Sequence, residues 1–238
     1  MKKVDQEKVW AVVPAGGIGA RMRLKIPKQY IQIEDRPILH HTLHRICECR
    51  RVDGVVVGIR KEDVRWRKNP FSHNKFRSTF EAGTQRVHTV FNGLNCLRER
   101  LGARDSDWVL VHDAVRPCLR QSDLLALIEC AKTNRTGAVL GTPLVDTLKS
   151  VGDHNRVQRT IDRTGLWLAL TPQVFRLGDL FRGIELALDS GNFVTDESMA
   201  MEHCGIFPEI IEGHPSNIKL TVSGDLPAVE LFLLGSGS

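Results

Sequence analysis

Between Val9 and Tyr30 the chain reads VWAVVPAGGIGARMRLKIPKQY, a segment whose residue types and spacing suit a polyanion. Ala15, Gly16, Gly17 and Gly19 make a stretch nearly free of side chains, whose backbone N–H groups can face an anion. Two cations follow at fixed remove, Arg21 and Lys28. The apolar run Val9–Val13 ahead of the glycines reads as a buried strand ending at Pro14. A strand feeding a glycine-rich turn and then separated cations is what a nucleoside triphosphate site requires. Two better-known glycine motifs are excluded. No Lys-Ser or Lys-Thr pair stands behind the last glycine, as a P-loop needs. The dinucleotide fingerprint fails because Met22 occupies the place of its third glycine, and no acidic residue closes the second strand to hold a ribose.

Open α/β sheets bind ligands beyond the carboxyl ends of their strands, so the other strand ends are the next place to look. After a short strand ending at Glu81 come Ala82, Gly83, Thr84, Gln85 and Arg86, with Thr89 one turn into a helix. After Trp108–His112 come Asp113, Ala114, Val115, Arg116 and Pro117. The last strand leads to Asn217-Ile218-Lys219-Leu220-Thr221. Glycines, hydroxyls, cations and one carboxylate thus converge on one edge. Asp113 can serve as a Mg²⁺ ligand, since Mg²⁺ in triphosphate chemistry takes one or two carboxylates plus phosphate oxygens. It can equally hold a ribose or cap a helix.

The elements that must carry these residues alternate. Strands are expected at Val9–Pro14, Gly54–Ile59, Phe76–Glu81, Trp108–His112 and Gly137–Thr142. Helices are expected at Pro37–Cys49, Gln85–Leu101 and Ser122–Thr133 between them, and later at Leu177–Ser190, Asp196–Cys204 and Ser223–Leu234. A last strand is expected over Phe207–Glu212 and then Asn217–Thr221. This alternation predicts an α/β fold with a mostly parallel central sheet covered on both faces. Residues 143–166 break the pattern. Thr147–Val151 and Arg156–Ile161 flank the turn-rich Gly152-Asp153-His154-Asn155, a β-hairpin with little apolar material to bury. Such a hairpin needs a neighbour, so it is read as a dimerisation arm.

Composition narrows the class. The 238 residues are 42% hydrophobic and 26% charged, ordinary for a globular chain, and are expected to form one domain over 1–238 with the arm attached. No apolar run nears the roughly 20 residues that span a bilayer, and the N-terminus lacks a secretory apolar segment. A cytoplasmic protein with no membrane partner is expected. The six cysteines have no metal or disulfide spacing and read as reduced thiols. His40 and His44 share a helical face but lack a third ligand, so a structural role is expected. The net charge of +5 is partly concentrated in Arg60, Lys61, Arg65, Arg67, Lys68, Lys75 and Arg77. No nucleic-acid-binding pattern accompanies that stretch, which reads as a solvated edge, with no nucleic-acid partner expected. The remaining excess suits small polyanions.

VVPAGGIGARM and PKQY, followed in order by HDAVRP, DRTGLW, LTPQ, TDE and NIKLT, closely resemble the 2-C-methyl-D-erythritol 4-phosphate cytidylyltransferase family of the nonmevalonate isoprenoid pathway. The resemblance implies a single Rossmann-like nucleotidyltransferase domain with a protruding β-hairpin arm. It implies transfer of CMP from CTP to 2-C-methyl-D-erythritol 4-phosphate, with Mg²⁺ as cofactor and a homodimer built through the arm. A relative acting on ribitol 5-phosphate or another polyol phosphate is the alternative. By the same resemblance Arg21 and Lys28 neutralise the triphosphate, and Lys219 stands near both the acceptor and the reacting phosphorus. Arg163 and Thr147 position the acceptor from the partner subunit, with Thr171, Thr195 and Arg116 also assigned to substrate. Ala15, Gly16, Gly17, Gly83, Arg86 and Thr89 line the nucleoside site, and Asp113 is the ribose-side and Mg²⁺ carboxylate. Gly16 and Val115 stand where alanine is common, changes expected to be tolerated. Thr84 replaces a frequent acidic residue, and Thr89 a serine.

Overall fold

The computed structural model describes residues 6–17 and 26–235. Its elements run along the chain as β1 (Val9–Pro14), β2 (Gln32–Ile33), β3 (Arg36–Pro37), α1 (Ile38–Cys47), β4 (Gly54–Ile59), α2 (Val64–Lys68), β5 (Phe76–Glu81) and α3 (Arg86–Asn95). Then come β6 (Trp108–Val111), α4 (Gln121–Asn134), β7 (Ala138–Pro143), β8 (Leu148–Val151), β9 (Val157–Ile161), β10 (Trp167–Arg176), α5 (Leu177–Asp189), α6 (Glu197–Glu202), β11 (Glu209–Glu212) and α7 (Leu226–Leu234).

Seven strands form the main sheet in the order β11-β7-β10-β6-β1-β4-β5. Every pairing is parallel except those of β10, which runs against both β6 and β7. The buried strands alternate strictly between two cores, as the two-residue period of a pleated strand requires. Ala11, Val13, Val55, Val57 and Leu110 pack with Leu43 and Ile46 of α1 and Leu124 and Ile128 of α4. Val12, Val56, Val109 and Val111 pack on the other face with Val90 and Leu94 of α3 and Ile184 of α5. Each such side chain contributes about 1.5–3 kcal/mol when fully buried. The central strand ends are therefore rigid, and the loops that leave them start from fixed points.

A third, smaller cluster joins Ile31, Ile33, Ile38, Val115, Leu220 and Val229. It anchors the stretch around Lys219 against the segment after β6. That stretch is not the strand expected over Asn217–Thr221; it is irregular and meets its neighbour through Leu220 N–H donating to Val115 O at 3.0 Å. The largest departure from expectation is β10, ten residues long, in a region where the sequence suggested no element.

The hairpin expected in the arm is present as β8 and β9, paired in a two-stranded sheet of their own with Leu148 opposite Ile161. The basic stretch spans α2 and the edge strand β5, where charge discourages unwanted strand pairing. His40 packs edge-on to Trp66 and Phe71, and His44 packs on Phe71. All six cysteines are free thiols, four of them buried. Among the described residues no helix is long and apolar enough to cross a membrane.

Candidate active site

A cleft of about 310 Å³ opens at the carboxyl ends of β1, β5 and β6, lined by Ala15, Gly16, Gly17, Lys28, Gly83, Arg86, Thr89, Asp113 and Lys219 among others. The glycine turn is fixed from both sides. Ala15 N–H donates to Gly58 O at 2.9 Å, tying the turn to β4. Gln29, buried behind it, donates from Nε2 to Ala15 O at 2.8 Å and to Gly17 O at 2.9 Å. Each bond is worth about 1 kcal/mol net. Because Gln29 sits in the short helical turn Lys28–Tyr30, the same bonds bring Lys28 beside the glycines. Lys28 Nζ donates to Leu220 O at 3.0 Å, joining the first and last segments of the site.

A network of five charges forms the cleft's back wall. Asp113, 6% exposed, accepts Arg86 Nε on Oδ1 at 3.0 Å and Lys219 Nζ on Oδ2 at 2.7 Å, with Arg116 Nε 3.6 Å from Oδ2. Glu197, at the start of α6, receives Arg86 Nη1 at 2.6 Å and Nη2 at 3.1 Å. Burial alone would raise the Asp113 pKa, but Arg86, Lys219 and Arg116 outweigh it and hold the carboxyl far below its usual range. Burial would lower the Arg86 pKa, yet Glu197 and Asp113 hold its guanidinium firmly charged. Three cations against two carboxylates leave a net positive wall, which favours an incoming polyanion.

Asp113 is no helix cap, since α4 begins only at Gln121 with Arg120 at its N-cap. Among the described cleft-lining residues it is the single carboxylate. That donor set fits a Mg²⁺ ion completed by phosphate oxygens and water, and does not fit an all-protein cage. No group of three or more His, Cys, Asp or Glu able to hold a metal occurs among the described residues.

Of the residues expected at the site, Ala15, Gly16, Gly17, Lys28, Gly83, Arg86, Thr89, Asp113 and Lys219 share this cleft. Thr89 Oγ1 accepts from Gly83 N–H at 3.0 Å and donates to Gln85 O at 3.0 Å, so its hydroxyl shapes the loop. Arg21 lies outside the described residues, as does Gly19. Two residues assigned to substrate stand in the wall behind the cleft. Arg116 sits behind Asp113, 8% exposed, with Nη1 donating to Asn217 O at 2.6 Å, so it braces the wall and does not line the cleft. Thr171 is also buried, its hydroxyl accepting from Asp113 N–H at 3.0 Å and lying 3.2 Å from His112 Nδ1. Thr147, Arg163 and Thr195 are exposed and do not line the cleft within this chain; Arg163 Nη1 donates to Val145 O.

Two participants escaped sequence reasoning. Glu197 lay in the TDE motif, whose threonine drew attention, and Gln29 lay inside PKQY. Both are buried polar groups, and such groups need a partner. No feature of the chain names that partner when it is 111 residues away, as for Glu197 and Arg86.

A mostly parallel sheet, a glycine turn after its first strand and a cationic cleft at the strand ends define a nucleotidyltransferase of Rossmann-like architecture. The chain belongs to the 2-C-methyl-D-erythritol 4-phosphate cytidylyltransferase family, whose sequence model matches residues 9–235. The 2-C-methyl-D-erythritol 4-phosphate cytidylyltransferase of Escherichia coli O1:K1 / APEC is 41% identical over 226 residues, which cover 94% of this chain and 93% of the relative. A crystal structure of 4-diphosphocytidyl-2C-methyl-D-erythritol synthase superposes with a TM-score of 0.85 at 36% identity, covering 96% of this chain and 99% of its own. The Francisella tularensis 2-C-methyl-D-erythritol 4-phosphate cytidylyltransferase gives 0.80 at 32% identity, covering 95% and 100%.

Proposed function

We propose that the protein transfers CMP from CTP to 2-C-methyl-D-erythritol 4-phosphate, giving 4-diphosphocytidyl-2-C-methyl-D-erythritol and pyrophosphate for isoprenoid precursor synthesis. The observation that carries this is the family match over residues 9–235, on a chain whose cleft gathers Lys28, Lys219 and Asp113. A phosphate oxygen of the acceptor attacks the α-phosphorus of CTP. The new O–P bond forms as the bond to the pyrophosphate oxygen breaks. A phosphate monoester is ionised near neutral pH, so no strong general base is needed. The difficulty is to bring two polyanions together and stabilise the charge that grows on the leaving pyrophosphate.

Lys28 and Lys219 meet that electrostatic demand as preorganised cations, and the family resemblance gives Arg21 the same task. Asp113 holds Lys219 toward the cleft at 2.7 Å, and Arg86 holds Asp113. Asp113 would also hold Mg²⁺, which when bound would neutralise phosphate charge as a Lewis acid. Arg163, Thr147 and Thr195 serve the acceptor, the first two from a second copy of the chain in a homodimer formed through residues 143–166. Support for that reading comes from the arm itself, where Val145 is 72%, Val151 49% and Val157 61% exposed. Apolar side chains on a two-stranded hairpin gain nothing in water and gain from a neighbour.

Pyrophosphate release measured with CTP, using 2-C-methyl-D-erythritol 4-phosphate and ribitol 5-phosphate as rival acceptors, tests the assignment. The expected result is turnover with the first and little with the second. A preference for ribitol 5-phosphate overturns it.

A further inference from the structure

β4 lies between β1 and β5, so those two strands run two spacings apart, roughly 9.6 Å. At the last two residues of β4, the loops leaving β1 and β5 nonetheless converge over it. Ala15 N–H and Ala82 N–H donate to the successive carbonyls of Gly58 and Ile59, each at 2.9 Å. Where the loops meet, a Cβ placed on Gly16 would stand 2.4 Å from the Cβ of Ala82, about 1 Å inside the 3.4 Å at which ordinary contact begins. Alanine at position 16 would therefore clash with Ala82 in this chain, whereas the glycine present fits.

The loop of β5 is braced from behind just after Ala82. Immediately after Ala82, a Cβ on Gly83 would lie 2.4 Å from His88 Cβ, and Gly83 N–H is held by Thr89 Oγ1 at 3.0 Å. Both loops line the cleft, through Ala15, Gly16 and Gly17 on one side and Gly83, Thr84 and Gln85 on the other. Added volume at their contact has to be taken up by one of these two loops, and both form the cleft.

We propose that Gly16 and Ala82 are a specificity-determining pair: between them they hold one Cβ, and that single methyl group sets the width of the slot that selects a pyrimidine over a purine nucleotide. The proposal rests on the reading of this cleft as the CTP site. It makes Ala82 a positioning residue, acting through the backbone of the glycine turn and touching no reacting atom.

The test compares Gly16→Ala, Ala82→Gly and the double variant with the unaltered chain. It uses titrations of CTP and ATP in the presence of Mg²⁺, with urea unfolding of each protein. Gly16→Ala is expected to weaken CTP binding by about tenfold or more, since displacements near 1 Å carry penalties of that order or larger. The double variant, again with one Cβ at the contact, is expected to recover CTP affinity to within about threefold, the coupling that contacting residues show. Ala82→Gly removes the only Cβ and is expected to raise ATP affinity relative to CTP by about fivefold, a modest change of shape selectivity. A purely structural pair would shift the urea midpoint and leave the ATP-to-CTP ratio alone. The proposal is overturned if the double variant binds CTP no better than Gly16→Ala, or if Ala82→Gly leaves that ratio unchanged. Should Gly16→Ala not fold, the folding of the double variant and the Ala82→Gly ratio decide. If the unaltered chain binds CTP without turning over 2-C-methyl-D-erythritol 4-phosphate, the acceptor assignment falls and the pair is judged on the ratios. If it binds no CTP, both fall.

Discussion

Glu197 grips Arg86 with both carboxylate oxygens, at 2.6 and 3.1 Å, while only 2% of its surface reaches solvent. Arg86 in turn holds Asp113, so a residue from α6 sets the orientation of the carboxylate that steers Lys219. Truncating Glu197 to alanine leaves the Arg86 guanidinium, whose side chain is 28% exposed at the cleft, with one partner in place of two. The expected cost is about 1.5–3 kcal/mol, the range for hydrogen bonds to charged groups, because Arg86 keeps Asp113 and partial access to water. The pair Arg51–Glu129 is as short, 2.5 Å, but its side chains are 41% and 52% exposed. Glu129→Ala is accordingly expected to cost less than about 1 kcal/mol. Urea unfolding of both variants checks this, and equal losses would mean that burial is not the deciding factor.

Lys28 separates chemistry from folding. Its ammonium lies at the cleft and bonds Leu220 O at 3.0 Å. Lys28→Ala is expected to lower kcat/KM for CTP by about 10²–10³, the range for losing one preorganised charge-stabilising group. Loss of its charge-assisted hydrogen bond to Leu220 O is expected to cost stability about 1.5–3 kcal/mol. Steady-state kinetics beside a thermal melt distinguish the two. Activity within a few-fold of the unaltered chain would remove Lys28 from the transition-state role.

Strand ends carry most of what the sequence disclosed. β1 and β4 fall at the expected residues because both are continuous apolar runs, and the placing of Asp113, Gly83 and Lys219 then depends on where strands stop. β10 was hidden for a physical reason. Its first three residues, Trp167–Ala169, are exposed and residues 171–175 are buried, so no single period describes it. Pro172 sits in its middle, where a proline argues against a central strand. The structure accommodates it with a break in register between Ala169 and Gln173. The back wall was hidden differently. Glu197, Arg86 and Asp113 each read as plausible polar residues, but their convergence depends on α6 packing on α5 and α5 on α3, which no local pattern encodes.

His112 makes stability depend on pH. It is fully buried, with Nε2 3.0 Å from Arg116 O and Nδ1 3.2 Å from Thr171 Oγ1. Burial outweighs those bonds and lowers its pKa from 6.5 to about 4. The unfolded chain thus binds a proton near pH 6.5 that the folded chain refuses until about pH 4. The contribution of neutral His112 is fully present above pH 6.5 and is lost as pH falls toward 4, amounting to roughly 3 kcal/mol. His40 and His44 are shifted the same way by burial, so the comparison must be with a variant. Between pH 7 and pH 4.5, His112→Gln is expected to show a shallower fall in urea stability than the unaltered chain. Parallel curves would place the titration elsewhere.

The arm yields the most demanding test, because it turns the dimer proposal into arithmetic. Arg163 and Lys219 do not meet within one chain: Lys219 lines the cleft, while Arg163 is exposed and bonded to Val145 O. If each cleft takes Lys219 from its own chain and Arg163 from its partner, Arg163→Ala and Lys219→Ala are each inactive alone. A mixed dimer then holds one site with both lesions and one site with none. Equal mixing with free exchange makes half the dimers mixed, so about a quarter of all sites should regain full activity, as two-fold symmetry dictates. Clefts built from one chain predict no recovery, because every cleft then carries a lesion. Turnover of the remixed variants, measured after subunit exchange and scaled to the unaltered protein, separates the two arrangements by a signal against a blank.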